Sequence, residues 1–507
     1  MTIFNQNYQT HARDCLTKYT TFGQVPGNGL DPLKINLDAY MMQRLGRPFD
    51  GKIAMTGCHG AIGCGFWDRL FQGRSDEKQK KVGELIRRSD ASLVFLLGDN
   101  FYDDGVKDSR DDRFVTAYRN VYMSTRSIEK QVIFSVLGNH DYKIHGFSAH
   151  GQKPVKALGG LLMTRNYTVG RSPRETIERG YRQVDYTYSQ RNQCNVKGLN
   201  PVARPHPAWN MPYRYYLLYS ELADFFCMDS SSYLFDTEQQ QWLKEAYRSR
   251  AGVNNIKVLV QHHPIVSGGH RISSNNDLKM YASAFGVTNI DRHIHPFSSE
   301  HVDGGGGKLM ELGWNIGYAM QRQGLDFKLI LCAHDHVLTA DKLATSREGH
   351  HPMVRLLNEE AAYFDIASLG TIVHANDRID AHIPASTICT QLISGGGGAS
   401  LSSDHDGDHA QTIAETQRGC NQRRYWEKHG YHYVEIAQDQ PMHPPPQPDR
   451  NVSPSNFRAY VAERKRFQAE TDRYNQLKGK HDRRKNISVT YYVRDENNMD
   501  IGGGAVG

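Results

Sequence analysis

Five short apolar runs in this chain lead directly into residue types that bind metal ions: IAMTGCHG at 53–60, LVFLLGDNFY at 93–102, VIFSVLGNHD at 132–141, KVLVQHHP at 257–264 and KLILCAHDH at 328–336. Asp99, Asn139, His140, His262, His334 and His336 follow these runs, and they are the types a dinuclear hydrolytic centre needs. A carboxylate can bridge two cations, imidazoles and an amide oxygen can complete each shell, and two ions roughly 3.5–4 Å apart clamp an in-line displacement at phosphorus. Any one of these histidines alone would be read as a hydrogen-bonded surface or core residue. The expectation rests on their occurrence in this order, each block behind its own apolar run.

Those runs must position the ligands. Continuous Val/Ile/Leu stretches are the mark of strands buried on both faces, and in α/β sheets ligands gather beyond strand carboxyl ends. Five strand ends are therefore expected to converge on one site. Between them, helical periodicity over 76–89 gathers Val82, Leu85 and Ile86 on one face, and over 237–249 it gathers Trp242, Leu243 and Tyr247. Residues 143–207 are rich in Gly, Arg, Pro and Tyr with little periodicity and read as an insertion overhanging the site. QPMHPPPQPD at 440–449 reads as an extended spacer. The charged stretch behind it reads as helical, with Tyr460, Phe467 and Tyr474 seven residues apart.

The ordered blocks resemble those of the calcineurin-like metallophosphoesterase superfamily, and within it the small purple acid phosphatases of the tartrate-resistant type. That family's GDxG, GDxxY, GNH(D/E), VxxH and GHxH correspond here to Gly57-Cys58-His59-Gly60, Gly98-Asp99-Asn100-Phe101-Tyr102, Gly138-Asn139-His140-Asp141, Leu259-Val260-Gln261-His262 and Ala333-His334-Asp335-His336. WNMPYRY at 209–215, FCMDS at 226–230, SGGGG at 394–398, YVEI at 433–436 and VTYY at 489–492 look like the connecting landmarks. The resemblance implies an α/β fold, a four-layer α/β/β/α sandwich of two mixed sheets flanked by helices. It implies that Asp99 bridges two metals. Tyr102 and His336 would join the first, ferric in the family, while Asn139, His262 and His334 would hold a divalent zinc, iron or manganese. His140 would protonate the leaving oxygen, His263 and His270 would contact substrate, and Asp141 would orient a neighbour.

One block departs seriously. Cys58 stands where the family has a metal-binding aspartate. A thiolate can bind iron or zinc with the charge unchanged, but its softness favours zinc or ferrous iron over hard ferric iron. His59 could substitute instead, although strict alternation turns it away from Cys58. The third possibility is that Cys58 is a small buried residue beside a weakened first site. Ala333 for Gly adds only a methyl, tolerable unless that backbone needs a positive φ.

The implied activity is hydrolysis of a phosphomonoester by a metal-activated hydroxide, with phosphodiester or nucleotide hydrolysis the chemical alternative. A non-catalytic binding or scaffold protein on the same fold is the alternative from a different class, because of Cys58. The substrate could be a small molecule or a phosphoprotein.

Composition sets the remaining bounds. At 507 residues, 23% charged and 38% hydrophobic, the chain has ample length for a large core and no disordered or fibrous bias. Eight cysteines without a paired framework or a CxxC argue against a disulfide scaffold or a zinc ribbon. The apolar runs are too short to span a bilayer. MTIFNQNYQTHARDC lacks a secretion-signal pattern, so a cytoplasmic location is expected by default, with signal-independent export the alternative.

Residues 451–486 hold ten Lys/Arg against four Asp/Glu, which accounts for the whole net charge of +6. Specific nucleic-acid binding is not expected, whereas an acidic partner for a helix over 455–485 is conceivable. The expected division is an N-terminal extension over 1–51, a phosphoesterase domain over 52–500 and a Gly-rich tail over 501–507. The domain carries the insert at 143–207 and a Pro-rich, basic insert at 437–486.

Overall fold

All five apolar runs are strands in the computed structural model of the chain. It describes residues 33–59, 75–144 apart from 103, 125, 126 and 128, 173–194, 206–265 apart from 208, 277–287, 311–344, 354–356, 362–365, 371–374, 388–398, 424–438 apart from 427, 465–472 apart from 470, and 487–506. In chain order come β1 (Lys34–Asn36), α1 (Leu37–Leu45), β2 (Lys52–Thr56), α2 (Ser75–Arg88), β3 (Leu93–Leu97) and β4 (Val132–Val136). Next are α3 (Pro173–Thr187), β5 (Gln193–Cys194), β6 (His206–Pro207), β7 (Tyr216–Tyr219), β8 (Ala223–Cys227), α4 (Thr237–Arg250) and β9 (Ile256–Val260). Then follow α5 (Asp277–Ala284), α6 (Glu311–Arg322), β10 (Leu329–Cys332) and β11 (Leu338–Ala344). The remaining strands are β12 (Val354–Leu356), β13 (Ala362–Asp365), β14 (Thr371–His374), β15 (Ile388–Ser394), β16 (Arg424–Trp426), β17 (Gly430–Gln438), β18 (Ile487–Asp495) and β19 (Asp500–Ala505).

These strands form two mixed sheets and a separate β5-β6 pair. One runs β1-β7-β8-β9-β10-β15-β11-β12-β13-β14, with β16 beside β11, and the other runs β19-β18-β17-β2-β3-β4. Strands β2, β3 and β4 are parallel neighbours, as are β8, β9, β10 and β15. The carboxyl ends of β2, β3 and β4 therefore bring their loops to one end of one sheet, and β9 and β10 do the same in the other.

Alternation along the buried strands sorts the layers. Ile53, Met55, Phe95, Leu97 and Val136 pack against Phe225, Val258, Val260 and Leu331 between the sheets, where the rings of Phe95 and Phe225 lie 5.3 Å apart. The intervening residues Ala54, Val94 and Leu96 of one sheet, and Phe226, Leu259 and Ile330 of the other, join a second cluster with Val82 and Ile86 of α2, Leu243 and Ala246 of α4 and Ile316 and Met320 of α6. The result is the expected α/β fold with two mixed sheets and flanking helices. The Asp236 side chain accepts the N–H groups of Glu238 and Gln239 and starts α4, a cap worth about 1 kcal/mol.

The framework exceeds the expected 52–500 limits at both ends. Residues 34–36 pair in parallel with β7, and 500–505 pair with β18 rather than trailing as a Gly-rich tail. The insert at 143–207, read as having little periodicity, contains the fifteen-residue helix α3. The YVEI and VTYY segments lie on β17 and β18, which pair from Gly430–Asp495 to Gln438–Ile487, so the chain leaves one strand and returns beside it. Within that excursion, 465–469 are helical with Phe467 half-buried, while Tyr460 and Tyr474 lie outside the described residues. Among the described residues no helix is long and apolar enough to cross a membrane.

Candidate metal centre

Three of the five strand ends turn sharply into the residue expected to bind metal. Cys58, Asp99 and His334 hold φ values of 53°, 51° and 65°, in the left-handed region that costs an ordinary L-residue about 1 kcal/mol or more. The surrounding backbone imposes these turns. Cys58 N–H donates to Gly98 O at 3.1 Å, Gly57 N–H to Ser394 O at 2.7 Å, and Ala333 N–H to His262 O at 2.9 Å. A Cβ on Gly57 would lie 2.5 Å from the Ala333 Cβ, so glycine at 57 is what leaves room for the Ala333 methyl. Since the positive φ falls on His334, the alanine before it is unstrained.

The loops bring seven of the expected residues together around Asp99, which is 1% exposed. Its Oδ2 accepts the Tyr102 hydroxyl at 2.9 Å and faces Cys58 Sγ at 4.0 Å, and the same hydroxyl lies 3.0 Å from His336 Nε2. Its Oδ1 accepts the His140 backbone N–H at 3.0 Å and lies 3.3 Å from His262 Nε2. That nitrogen is 3.1 Å from Asn139 Oδ1 and 3.2 Å from His334 Nδ1, and the latter two atoms are 3.0 Å apart. Two donor sets thus share one carboxylate. One comprises Tyr102 and His336, the other Asn139, His262 and His334, while Cys58 groups with Asp99 and His262. The His140 ring, 8% exposed, lies with its centroid 4.2 Å from that of Tyr102, outside both sets.

The sequence profile of the calcineurin-like phosphoesterase family matches residues 52–338, from β2 through the last of the ligand loops. The chain belongs to this family. Curated relatives include purple acid phosphatase 3 of Arabidopsis thaliana, 35% identical over 79 residues that make up 16% of this chain and 21% of the relative. Purple acid phosphatase 7 of the same plant is 37% identical over 79 residues, 16% and 24% of the two chains. Tartrate-resistant acid phosphatase type 5 of Homo sapiens is 36% identical over 63 residues, 12% and 19%. The matches therefore span less than a quarter of these relatives' lengths. Among solved structures, GAP50, described as the anchor in the inner membrane complex of Plasmodium, superposes with a TM-score of 0.39 at 12% identity over 90% of this chain and 88% of its own. Purple acid phosphatase PPD1 of yellow lupin gives a TM-score of 0.39 at 12% identity over 90% and 55%.

Electrostatics around the shared carboxylate favour an ionised Asp99. Burial alone would raise its proton affinity, but the imidazoles of His262, His140 and His334 hold it well below the usual carboxylate range. His262 shows the reciprocal effect: burial opposes its protonation, yet Asp99 raises its pKa overall. His262 Nδ1 lies 2.7 Å from Leu97 O, which assigns a proton to Nδ1 and leaves Nε2 as the nitrogen that faces the Asp99 and Asn139 oxygens.

A buried polar frame holds the loops that carry these residues. Asp141 accepts the backbone N–H groups of Gly138, Asn100 and Phe101 at 2.9, 3.1 and 3.2 Å, and the Gln183 side-chain amide at 2.7 Å. It ties the loop carrying Asp99 and Tyr102 to the loop carrying Asn139 and His140. Tyr142 donates to Asp229 at 2.6 Å, and Asp229 and Asp236 pair with the buried Arg214, each at 2.7 Å.

His263, expected to contact substrate, is fully buried. Its Nδ1 lies 2.8 Å from Ser230 Oγ and its Nε2 2.7 Å from Tyr281 OH, so both nitrogens are engaged and the ring packs 4.6 Å from that of His334. His270 lies outside the described residues. His59 turns away from the centre: its Nε2 sits 3.3 Å from Asn100 Oδ1 and its ring stands edge-on to Tyr122. Asp335, between the two ligand histidines, is buried but joins neither set. Gln183 and Tyr281 escaped sequence reading, because a lone Gln or Tyr outside the expected ligand blocks carries no pattern, and Ser230 was read only as the end of the FCMDS landmark.

Proposed function

We propose that this chain is a metal-dependent phosphoesterase that hydrolyses phosphomonoesters at a dinuclear site. The observation that carries the reading is the division of Asp99, whose two oxygens face two different donor sets. The sets suit metals: a carboxylate, a phenol, imidazole nitrogens and an amide oxygen are the donors that zinc, iron and manganese take. Their separations of 2.9–3.3 Å match those of neighbouring ligands bound about 2.0–2.2 Å from a common ion. Asp99, Tyr102 and His336 would hold one cation, and Asp99, Asn139, His262 and His334 the other. When bound, they supply the Lewis acidity that activates water and neutralises the transferring phosphoryl oxygens.

The rest of the chemistry falls to the chain. His140 stands beside the Tyr102 ring with its backbone fixed on Asp99, where its imidazole holds the proton that the leaving oxygen takes up. Asp141 and its donors keep both loops in register, so the groups need no reorganisation when substrate arrives.

The test compares the metal-reconstituted wild type with Asp99→Asn on an aryl phosphate, a diaryl phosphate and a nucleotide. Faster turnover of the monoester by the wild type alone is expected. A preference for the diester or the nucleotide would correct the substrate class. Equal rates in wild type and variant on all three would replace catalysis with a binding role on a phosphoesterase fold.

A further inference from the structure

We infer that Cys58 is a metal ligand, and that its thiolate makes the position it shares with Asp99 select a borderline-soft divalent cation, zinc or ferrous iron, over ferric iron or manganese. This rests on the dinuclear reading above and adds to it the class of metal the site takes.

The geometry distinguishes Cys58 from a space-filling thiol. Its Sγ, fully buried, is 4.0 Å from Asp99 Oδ2, and one ligand atom each from Cys58, Asp99 and His262 lie within 4.8 Å of one another. A sulfur and a carboxylate oxygen bound at about 2.3 and 2.1 Å to one tetrahedral zinc would stand about 3.6 Å apart, close to the separation seen. Cys227 and Cys389 lie within strands, and burial pushes their thiols far up, as expected for inert core cysteines. Cys58 instead sits beyond a strand end in a left-handed turn, φ 53°, a conformation Asp and Asn adopt more readily than Cys. The turn directs sulfur toward the shared carboxylate.

His59 spends Nε2 on Asn100 and packs its ring edge on Tyr122, and among the described residues it is Cys58, of the two, that groups with Asp99 and His262 as a possible ligand. Coordination releases the thiol proton to solvent and leaves a single negative charge, as a carboxylate would, so the site keeps its charge while its softness rises. Soft thiolate ligands select zinc and ferrous iron, whereas carboxylate and water suit manganese.

Cobalt(II) alone, titrated into the metal-free full chain, reads this directly, because a thiolate bound to cobalt gives an intense near-ultraviolet charge-transfer band. The wild type is expected to show the band as the site fills. Cys58→Ser and Cys58→Asp are expected to take up cobalt with wild-type circular dichroism but without the band, and Cys58→Asp to shift competition from zinc toward manganese. Two cobalt ions bound to the wild type with no band, or a band surviving in Cys58→Ser, would overturn the inference and leave the dinuclear reading standing. A wild type that takes up no cobalt would overturn both. The wild-type spectrum decides the matter even if a variant fails to fold.

Discussion

Gln183 of α3 donates its side-chain amide to Asp141 Oδ1 at 2.7 Å, while its own oxygen accepts from Asn100 Nδ2 at 3.2 Å. The insert thus reaches under the Asp99 cluster and supports the carboxylate that clamps the loops carrying Asp99 and Asn139. Replacing Gln183 by Leu leaves a buried acceptor and a buried donor short of a partner, and a loss of about 2 kcal/mol of stability is expected. Urea denaturation should show the midpoint falling with an unchanged slope.

His140 lies outside both donor sets, so His140→Ala should leave metal content unchanged while turnover falls by about 10²–10⁴-fold. The loss should be larger for an alkyl phosphate than for a nitrophenyl phosphate, because an alkoxide needs the proton more than a phenoxide does. Rates on the two esters with the same enzyme preparation, alongside metal analysis, check both parts. An equal loss on both esters would mean that His140 positions rather than protonates.

His432, fully buried on β17, has its pKa lowered to about 3 by burial, with the Thr339 backbone acting the other way. The unfolded chain takes up this proton below about 6.5, and the native chain only below about 3. Stability contributed by the neutral ring is therefore intact above pH 6.5 and is lost progressively as pH falls through that window, by up to about 1.4 kcal/mol per unit. His432→Phe should flatten the fall of the urea midpoint between pH 6.5 and 4. An unchanged slope would place the native titration of His432 near its unfolded value.

The strand ends were legible because a buried parallel strand is an unbroken apolar run and its ligand follows it directly, as Leu93–Leu97 does before Asp99. The helices over 75–88 and 237–250 were legible to within a residue, since each has one apolar face. The distribution of those strands between two sheets was not, because residues buried on both faces show no alternation that names a partner. β1 is three residues long, too short for any pattern. α3 was hidden in a stretch dominated by Gly, Arg and Pro.

The site shows the same division. The residues that cluster around Asp99 stood out by order and spacing, whereas the left-handed turns at Cys58, Asp99 and His334 were invisible because none of them is glycine. The engagement of both nitrogens of His263 depends on Ser230 and Tyr281, partners that meet it only in the folded chain.

The number of metal ions bound per chain tests the shared-carboxylate centre most directly. Equilibrium dialysis of the full chain against zinc, followed by elemental analysis, should give two tightly held ions for the wild type. Asp99→Asn should hold at most one, because the variant loses the charge facing both Tyr102 and His262. A wild type holding one ion or none, or an Asp99→Asn variant holding two as tightly, would contradict a dinuclear site bridged by Asp99.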